Sequence, residues 1–340
     1  MAFTRRQVVA SFGALAGTLA GALAAPSIVR AAPARTKLIV GTQDIAIQET
    51  VIASGVLDGL GFDLQWAVLP GPAAQLSGLY SKALDVGLMG DTSLVIEQGK
   101  AKADWTEETA PLQIVAGWRN PDRAYPPIVT VVRNDARING LADLRGRKWA
   151  YNFGGFNYLQ YVLSRLKAGL KAADVEPVQL VDQFAAAAAF NSGRAEVYSG
   201  GLGPVRATIE KGDARILLYS DELGIPSLTV FAARGDVVRD EAKAAALTDF
   251  LARVRLHWDW FPNNIATVET IYREKLKQTP ADAKFFAANA ASRFVPLDAE
   301  LIRKEQRIAD VLFESGDIPK QIKVDVEFSR KFNGATTPAA

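Results

Sequence analysis

Three short glycine-rich segments carry most of the chemistry this sequence offers: Gly90-Asp91-Thr92-Ser93, Gly154-Gly155-Phe156-Asn157 and Gly200-Gly201-Leu202-Gly203-Pro204. Each stands where an apolar, strand-like run gives way to a helical pattern, so each reads as the start of a helix. The first turn of a helix leaves backbone N–H groups without intrahelical partners and carries about half a positive charge. Such ends bind sulfonate, carboxylate or phosphate without a lysine. Glycine lets a ligand approach the backbone, and the Thr92 hydroxyl adds a donor. Any one of these starts, taken alone, is also an ordinary cap, with Asp91 or Thr92 as the N-cap. Gln43 and Asp44 follow the first strand and are either a solvated loop or a ligand contact. Phe156, Tyr158 and Tyr198 are aromatic candidates for packing a ligand body, or members of the core.

Other chemistries are excluded by composition. The chain of 340 residues has no cysteine, so it has neither disulfides nor thiolate nucleophiles, and its single histidine, His257, rules out a multi-histidine metal site. No metal and no cofactor are expected. Gly154-Gly155 lacks the remaining residues of a GxxxxGK[ST] loop, so nucleotide hydrolysis is unsupported. A formal charge of +2 is close to balance and gives no footprint for nucleic acid. His257 stands among Trp258, Trp260 and Phe261 on a helical stretch and reads as structural; the charged run Arg303–Arg307 reads as a solvated helix face.

The elements that must position these starts alternate between strand and helix, the sign of an α/β protein with mainly parallel sheets. Leu38–Val40 is a strand, Gln48–Leu60 an amphipathic helix stopped at Gly59-Leu60-Gly61, and Asp63–Leu69 a second strand. A Pro70-Gly71-Pro72 turn, a helix through Tyr80 and the strand Val86–Met89 follow. A second copy of this order begins near Pro177: strand to Val181, helix Gln183–Asn191, strand Val197-Tyr198, helix through Glu210, strand Ala214–Tyr219. Between the copies lies a turn-rich stretch, Asn120 to Pro127, and a second crossing is expected at Gly224-Ile225-Pro226 before the strand Leu228–Phe231. Everything after Val238 is helical in pattern. The chain therefore divides into lobe one, residues 37–127 and 226–330, and lobe two, residues 128–225, with the two crossings as hinges of a closing cleft. Ligands of open α/β sheets bind beyond the carboxyl ends of strands.

The amino terminus carries an address. Thr4-Arg5-Arg6-Gln7 precedes an Ala/Gly-rich run from Val8 to Ala25 and small residues near Val29–Ala34, the layout of a secretory signal of twin-arginine type over residues 1–34, cut after Ala31 or Ala34. The run is too weakly apolar for a membrane span, and no later segment fits one. The expected location is the periplasm.

At these residues the chain resembles the aliphatic sulfonate, taurine and nitrate receptor family of ABC importers, over about Lys37 to Val326. Gly71-Pro72 and Gly90-Asp91-Thr92 are similar to the family's Gly-Pro and Gly-Asp-Thr segments. Leu141-Ala142-Asp143-Leu144-Arg145-Gly146 resembles its approach to the second lobe. Phe294-Val295-Pro296-Leu297-Asp298, Gln306-Arg307-Ile308-Ala309-Asp310 and Gly316-Asp317-Ile318-Pro319 are similar to its tail. The resemblance implies a two-lobed periplasmic-binding-protein fold of the second type, with the ligand in the inter-lobe cleft. It also implies a receptor without catalysis, taken as a monomer, that hands a small organic anion to a membrane permease and its ATPase. In that order, the starts at Asp91-Thr92 and Gly154-Gly155 become ligand sites rather than caps. The family commonly has Ser-Ser or Ser-Thr after the lobe-two glycine, where this chain has Gly154-Gly155-Phe156-Asn157, and a Trp-Asp-Pro segment where it has Gly201-Leu202-Gly203-Pro204. Loss of the indole and of the acid implies a larger, mostly apolar or aromatic ligand body against Phe156, Tyr158 and Tyr198. The rival class is an enzyme on the same fold, desulfinase-like or pyrimidine-forming; such relatives need cysteine or several histidines, and no activated nucleophile with a base is found here.

Export supplies the first prediction. Replacing both Arg5 and Arg6 by lysine should leave precursor in the cytoplasm, read by fractionation and immunoblotting; normal periplasmic delivery of the double variant would remove the twin-arginine assignment.

Overall fold

A computed structural model describes residues 35–121, 127–225 and 228–337 of the chain. The expected signal (1–34) and most of the two crossings (Tyr125, Pro126 and Pro226 among them) lie outside these residues. The first lobe opens with β1 (Lys37–Thr42), α1 (Ala46–Ala53), β2 (Asp63–Val68), α2 (Pro72–Tyr80), β3 (Val86–Gly90), α3 (Thr92–Lys100) and β4 (Leu112–Arg119). The second lobe comprises β5 (Ile128–Arg133), β6 (Lys148–Asn152), α4 (Gly155–Lys167), β7 (Glu176–Leu180), α5 (Gln183–Asn191), β8 (Val197–Gly201), α6 (Arg206–Glu210) and β9 (Ala214–Tyr219). The chain then returns through β10 (Thr229–Arg234), α7 (Gly235–Arg239), α8 (Glu241–Trp260), α9 (Ile265–Glu274), α10 (Pro280–Asn289), β11 (Arg293–Val295), α11 (Ala299–Glu314) and α12 (Asn333–Thr336).

Two sheets result, and they share one plan. The first runs β11-β4-β10-β3-β1-β2 and the second β7-β6-β8-β5-β9. In each, three strands joined by right-length helical crossovers lie parallel, β2-β1-β3 in one and β7-β6-β8 in the other. In each, the first strand after a crossing enters antiparallel between two strands of that lobe: β10 between β3 and β4, β5 between β8 and β9. The sheets are therefore mixed rather than mainly parallel. β3 and β8, next to the intruding strands, are buried on both faces, which their runs of Val, Gly and Met or Tyr and Ser permit only because helices cover both sides.

Two elements depart from the pattern read in the sequence. α1 ends at Ala53, because Ser54 and Gly55 close it with backbone bonds to Thr50 and Ile52, well before the Gly59-Leu60-Gly61 stop. The region after Val238 is not wholly helical: Arg293–Val295 forms β11, paired antiparallel with β4 through Phe294 and Trp118. Three residues are too few to show a period of two.

The lobes are joined by packing and by charge. One apolar cluster runs through Leu94 and Val95 of α3, Leu159 and Val162 of α4, and Leu312 and Ile318 at the end of α11. Within it the Arg165 guanidinium, on α4, donates to Asp317 Oδ2 at 2.8 Å, and the Tyr158 hydroxyl donates to Asp317 Oδ1 at 3.0 Å. Both ends of this pair are shielded from water, the arginine side chain being only 1% exposed. Removal of one partner from such a pair leaves an uncompensated buried charge, a cost of about 3–5 kcal/mol. The tail motif Gly316-Asp317-Ile318-Pro319 thus pins a second-lobe helix.

Three acids lie in the same region. Asp91 is buried and its Oδ2 accepts from Leu228 N at 2.9 Å. Glu305 and Glu327 are fully buried, and neither Glu327 oxygen has a partner. Burial, reinforced by the negative Asp91 nearby, pushes both glutamates well above the usual carboxylate range. A carboxyl raised in the folded state binds its proton more tightly there than in the unfolded chain. Its stabilising contribution is then complete below about pH 4.3 and is lost as pH rises towards the folded value, at about 1.4 kcal/mol per pH unit. Glu327→Gln should therefore gain stability over the wild type as pH rises from 5 to 8, read by urea denaturation at both values; an advantage that shrinks with pH would contradict a protonated Glu327.

Candidate functional site: a cavity between two glycine-started helices

The carboxyl ends of all six parallel strands converge on one cavity of about 210 Å3. After β1 come Gln43 and Asp44; after β2, Gly71; at the end of β3, Gly90. The second lobe contributes Phe156 after β6, Asp182 to Phe184 after β7, and Gly201 and Gly203 at β8. Tyr272 of α9, Leu276, Gln278 and Phe286 of α10 close the remaining side.

Two helix starts meet here in the same conformation. Gly71, the N-cap of α2, has φ 79° and ψ 154°; Gly154, the N-cap of α4, has φ 81° and ψ 160°. This region is open almost only to glycine. Neither helix has a side-chain cap, so their first-turn N–H groups are not satisfied by their own N-cap side chains. The neighbouring helices differ. Asp91 caps α3 through Thr92 N at 2.6 Å, and Asp182 caps α5 through Ala185 N at 2.9 Å. The positive ends of α2 and α4 are the ones left open for an anion.

The lobes touch along a seam beside the cavity. A β-carbon added to Gly154 would lie 3.0 Å from Pro72 Cβ, one on Gly90 would lie 2.8 Å from Gly155 Cα, and one on Gly71 would lie 2.2 Å from the Val181 carbonyl oxygen. Each contact crosses from one lobe to the other.

Charge at the site is unusual for an anion receptor. Among the described residues that line the cavity there is no lysine or arginine, while Asp44 and Asp182 are both present. Asp182 is engaged by its helix. Asp44 is exposed to the cavity, its Oδ1 accepting from Ala46 N at 2.8 Å. Enclosure by protein raises its pKa, and that backbone bond opposes the rise. Gln43 is oriented by donating through Nε2 to the Leu88 carbonyl at 3.1 Å.

Of the residues singled out in the sequence, the structure brings Gln43, Asp44, Gly90, Phe156 and Gly201 to the cavity. Asp91 and Thr92 do not line it: both are buried, and the Asp91 carboxylate is taken up by Thr92 and Leu228. Asp91 therefore has no free oxygen edge for a ligand ammonium. Gly154 and Gly155 form the seam rather than the wall. Asn157 is buried and donates to Asn152 Oδ1 at 2.8 Å. Tyr198 turns into the second-lobe core against Phe190, its hydroxyl donating to Gly201 O at 3.1 Å. Tyr158 is held by Asp317. The other aromatic walls, beside Phe156, are Phe184 of α5, Tyr272 of α9 and Phe286 of α10. Phe286 also fills space beside the second-lobe glycine turn: a β-carbon on Gly203 would lie 2.3 Å from Phe286 Cζ, so the first lobe occupies the room that this glycine leaves. His257 is buried away from the cavity, and burial alone lowers its pKa to about 3, leaving a neutral ring.

Residues 59–301 match the family model described as the periplasmic substrate-binding protein of phosphonate ABC transporters. The chain belongs to that family. It is the substrate-binding component of an ABC importer, and its relatives are periplasmic binding proteins. An Escherichia coli (strain K12) protein, provisionally described as aliphatic sulfonates-binding, is 22% identical over 267 residues, 77% of each chain. The alkanesulfonate-binding protein SsuA from Xanthomonas axonopodis pv. citri, solved with MOPS, superposes with a TM-score of 0.74 at 19% identity, over 88% of this chain and 99% of that one. A desulfurization enzyme, DSZB, shares the fold less closely, with a TM-score of 0.56 at 15% identity over 89% and 99% of the chains. No helix among the described residues is long and apolar enough to cross a membrane.

The seam makes a prediction for this binding protein. Gly90→Ala should leave each lobe folded, because that position needs no left-handed backbone, yet hold the cleft ajar by the methyl against Gly155. Overpacking of this kind costs about 1–3 kcal/mol, roughly tenfold or more in ligand affinity. Small-angle scattering should show a larger radius for the variant with ligand than for the wild type; identical radii and affinities would mean that the seam does not form on binding.

Proposed function

We propose that this protein is an exported receptor that captures a small organic anion with a sulfonate or phosphonate head, by closing its two lobes over it, and delivers it to a permease and ATPase. The observation that carries this is the pair of uncapped, glycine-started helices, one from each lobe, whose first turns reach a single cavity through Gly71 and Phe156. An anion placed between them accepts from both lobes at once, so binding and closure are the same event. The family supplies the transport role, and the sulfonate-binding relatives supply the head-group class.

The lobes in this reading are residues 37–127 with 226–330, and 128–225, turning about the two crossings. Their division follows the two sheets. Ligand contacts are Gln43, Asp44, Gly90, Phe156 and Gly201 with Gly71, Phe184 and Phe286, and the protein acts as a monomer exported by the twin-arginine route. The ligand leaves unaltered. The fold is shared with a desulfurization enzyme, but this chain has no cysteine.

Calorimetric titration with propane-1-sulfonate, propylphosphonate and MOPS, with small-angle scattering alongside, tests the reading. At least one should bind at micromolar Kd, compact the protein and be recovered chemically intact. Absence of binding by all three up to millimolar concentration, or turnover of any, would overturn it.

A further inference from the structure

Behind Gln43 and Asp44 lies a second cavity of about 140 Å3, set into the first lobe. It shares Gln43, Asp44, Leu88, Thr229 and Tyr272 with the cavity between the lobes, so the two are neighbouring chambers with a common wall. The inner surface is aromatic: Trp118 lies 6.0 Å from Trp258, ring centroid to ring centroid, and Trp258 lies 5.7 Å from Phe261. Ala290 and Ser292 complete it. Trp258 is 7% exposed, so its indole is almost wholly enclosed, and its Nε1 has no hydrogen-bond partner. Among the described residues that line the inner chamber, Asp44, at the junction, is the one carboxylate, the phenol of Tyr272 stands beside it, and no cation of either chamber balances the charge.

From this arrangement we infer that the inner chamber is a subsite for an apolar ring at the far end of the ligand, joined to the anionic head through a protonated amine that Asp44 holds. The inference rests on the anion-receptor reading above and specifies its substrate class: an N-substituted amino-alkyl sulfonate or phosphonate. Geometry and charge agree on the order of groups. The head sits at the starts of α2 and α4, the ammonium at Asp44 on the shared wall, and the ring among Trp118, Trp258 and Phe261. An ammonium placed at Asp44 removes the one uncompensated charge in an enclosed site, and the apolar ring leaves water for an aromatic surface. Burying a six-membered ring of carbon is worth on the order of a ten- to hundredfold gain in affinity.

Three probes separate the parts. Propane-1-sulfonate carries the head alone, 4-phenylbutane-1-sulfonate adds a ring without nitrogen, and 3-(cyclohexylamino)propane-1-sulfonate carries head, ammonium and ring. By calorimetry at pH 7 the last should bind at least ten times more tightly than the first, with the phenyl compound between them. Ala290→Leu fills the chamber and should abolish the advantage of the cyclohexylamino compound while propane-1-sulfonate keeps its Kd; Ser292→Val serves the same purpose if the leucine variant does not fold. Asp44→Asn should cost the cyclohexylamino compound at least five times more than it costs the phenyl one. Equal affinities of the wild type for propane-1-sulfonate and the cyclohexylamino compound would overturn the subsite and leave the receptor reading standing. Failure of all three to bind would instead remove the receptor reading on which it rests.

Discussion

The structure depends on how closely two backbones from different lobes can approach. Gly71 and Gly154 adopt one conformation, with positive φ and extended ψ, that side chains resist, and each faces the other lobe with no β-carbon between. Two consequences follow from the same missing atom. The helix that begins at each glycine has no side chain to cap it, so its first-turn donors stay available. The lobes can also meet tightly enough to exclude water from whatever those donors hold, and in a water-poor site such donors act more strongly on a charge.

Capping divides the helices into two kinds. α3 and α5 begin with an aspartate that satisfies its own helix, although the start of α5, from Asp182 to Phe184, also lines the cavity. α2 and α4 begin with glycine and face the cavity. A receptor built this way needs no lysine or arginine at its anion site, because helix ends supply the positive potential. That leaves Asp44 as the strongest discrete charge exposed to the cavity, and it repels a plain anion.

Much of the architecture was legible in the sequence. The stretches Gln183–Asn191 and Ala214–Tyr219 fall on α5 and β9 residue for residue, because an aspartate cap and turn glycines mark their limits. The doubled strand–helix order corresponds to two sheets of one plan. The cavity was harder to see. Gly90-Asp91-Thr92 has the same letters whether the aspartate faces a ligand or accepts from a distant N–H, and only the fold brings Leu228 to it. Phe184, Tyr272 and Phe286 carry no local signal, since a lone aromatic on a helix reads as core. The signal that was present is Gly-Pro at 71–72: glycine as N-cap with proline at the first helical position marks a start whose cap is deliberately empty. Tyr198 misled through its place beside a glycine turn, while the pleat sends it inward against Phe190.

The antiparallel strand that completes the first sheet has a bearing on the order of folding. β3 and β4 are both held by β10, yet the whole second lobe is made between β4 and β10. The second lobe, by contrast, draws all five of its strands from one uninterrupted stretch of chain. Until β10 has been made, the first lobe is an incomplete sheet in which one edge of β3 and both edges of β4 lack partners. Such exposed edges invite pairing with other chains. The chain order thus lets the later lobe complete its sheet before the earlier one can, since the first sheet closes only when the return strand enters between its own members.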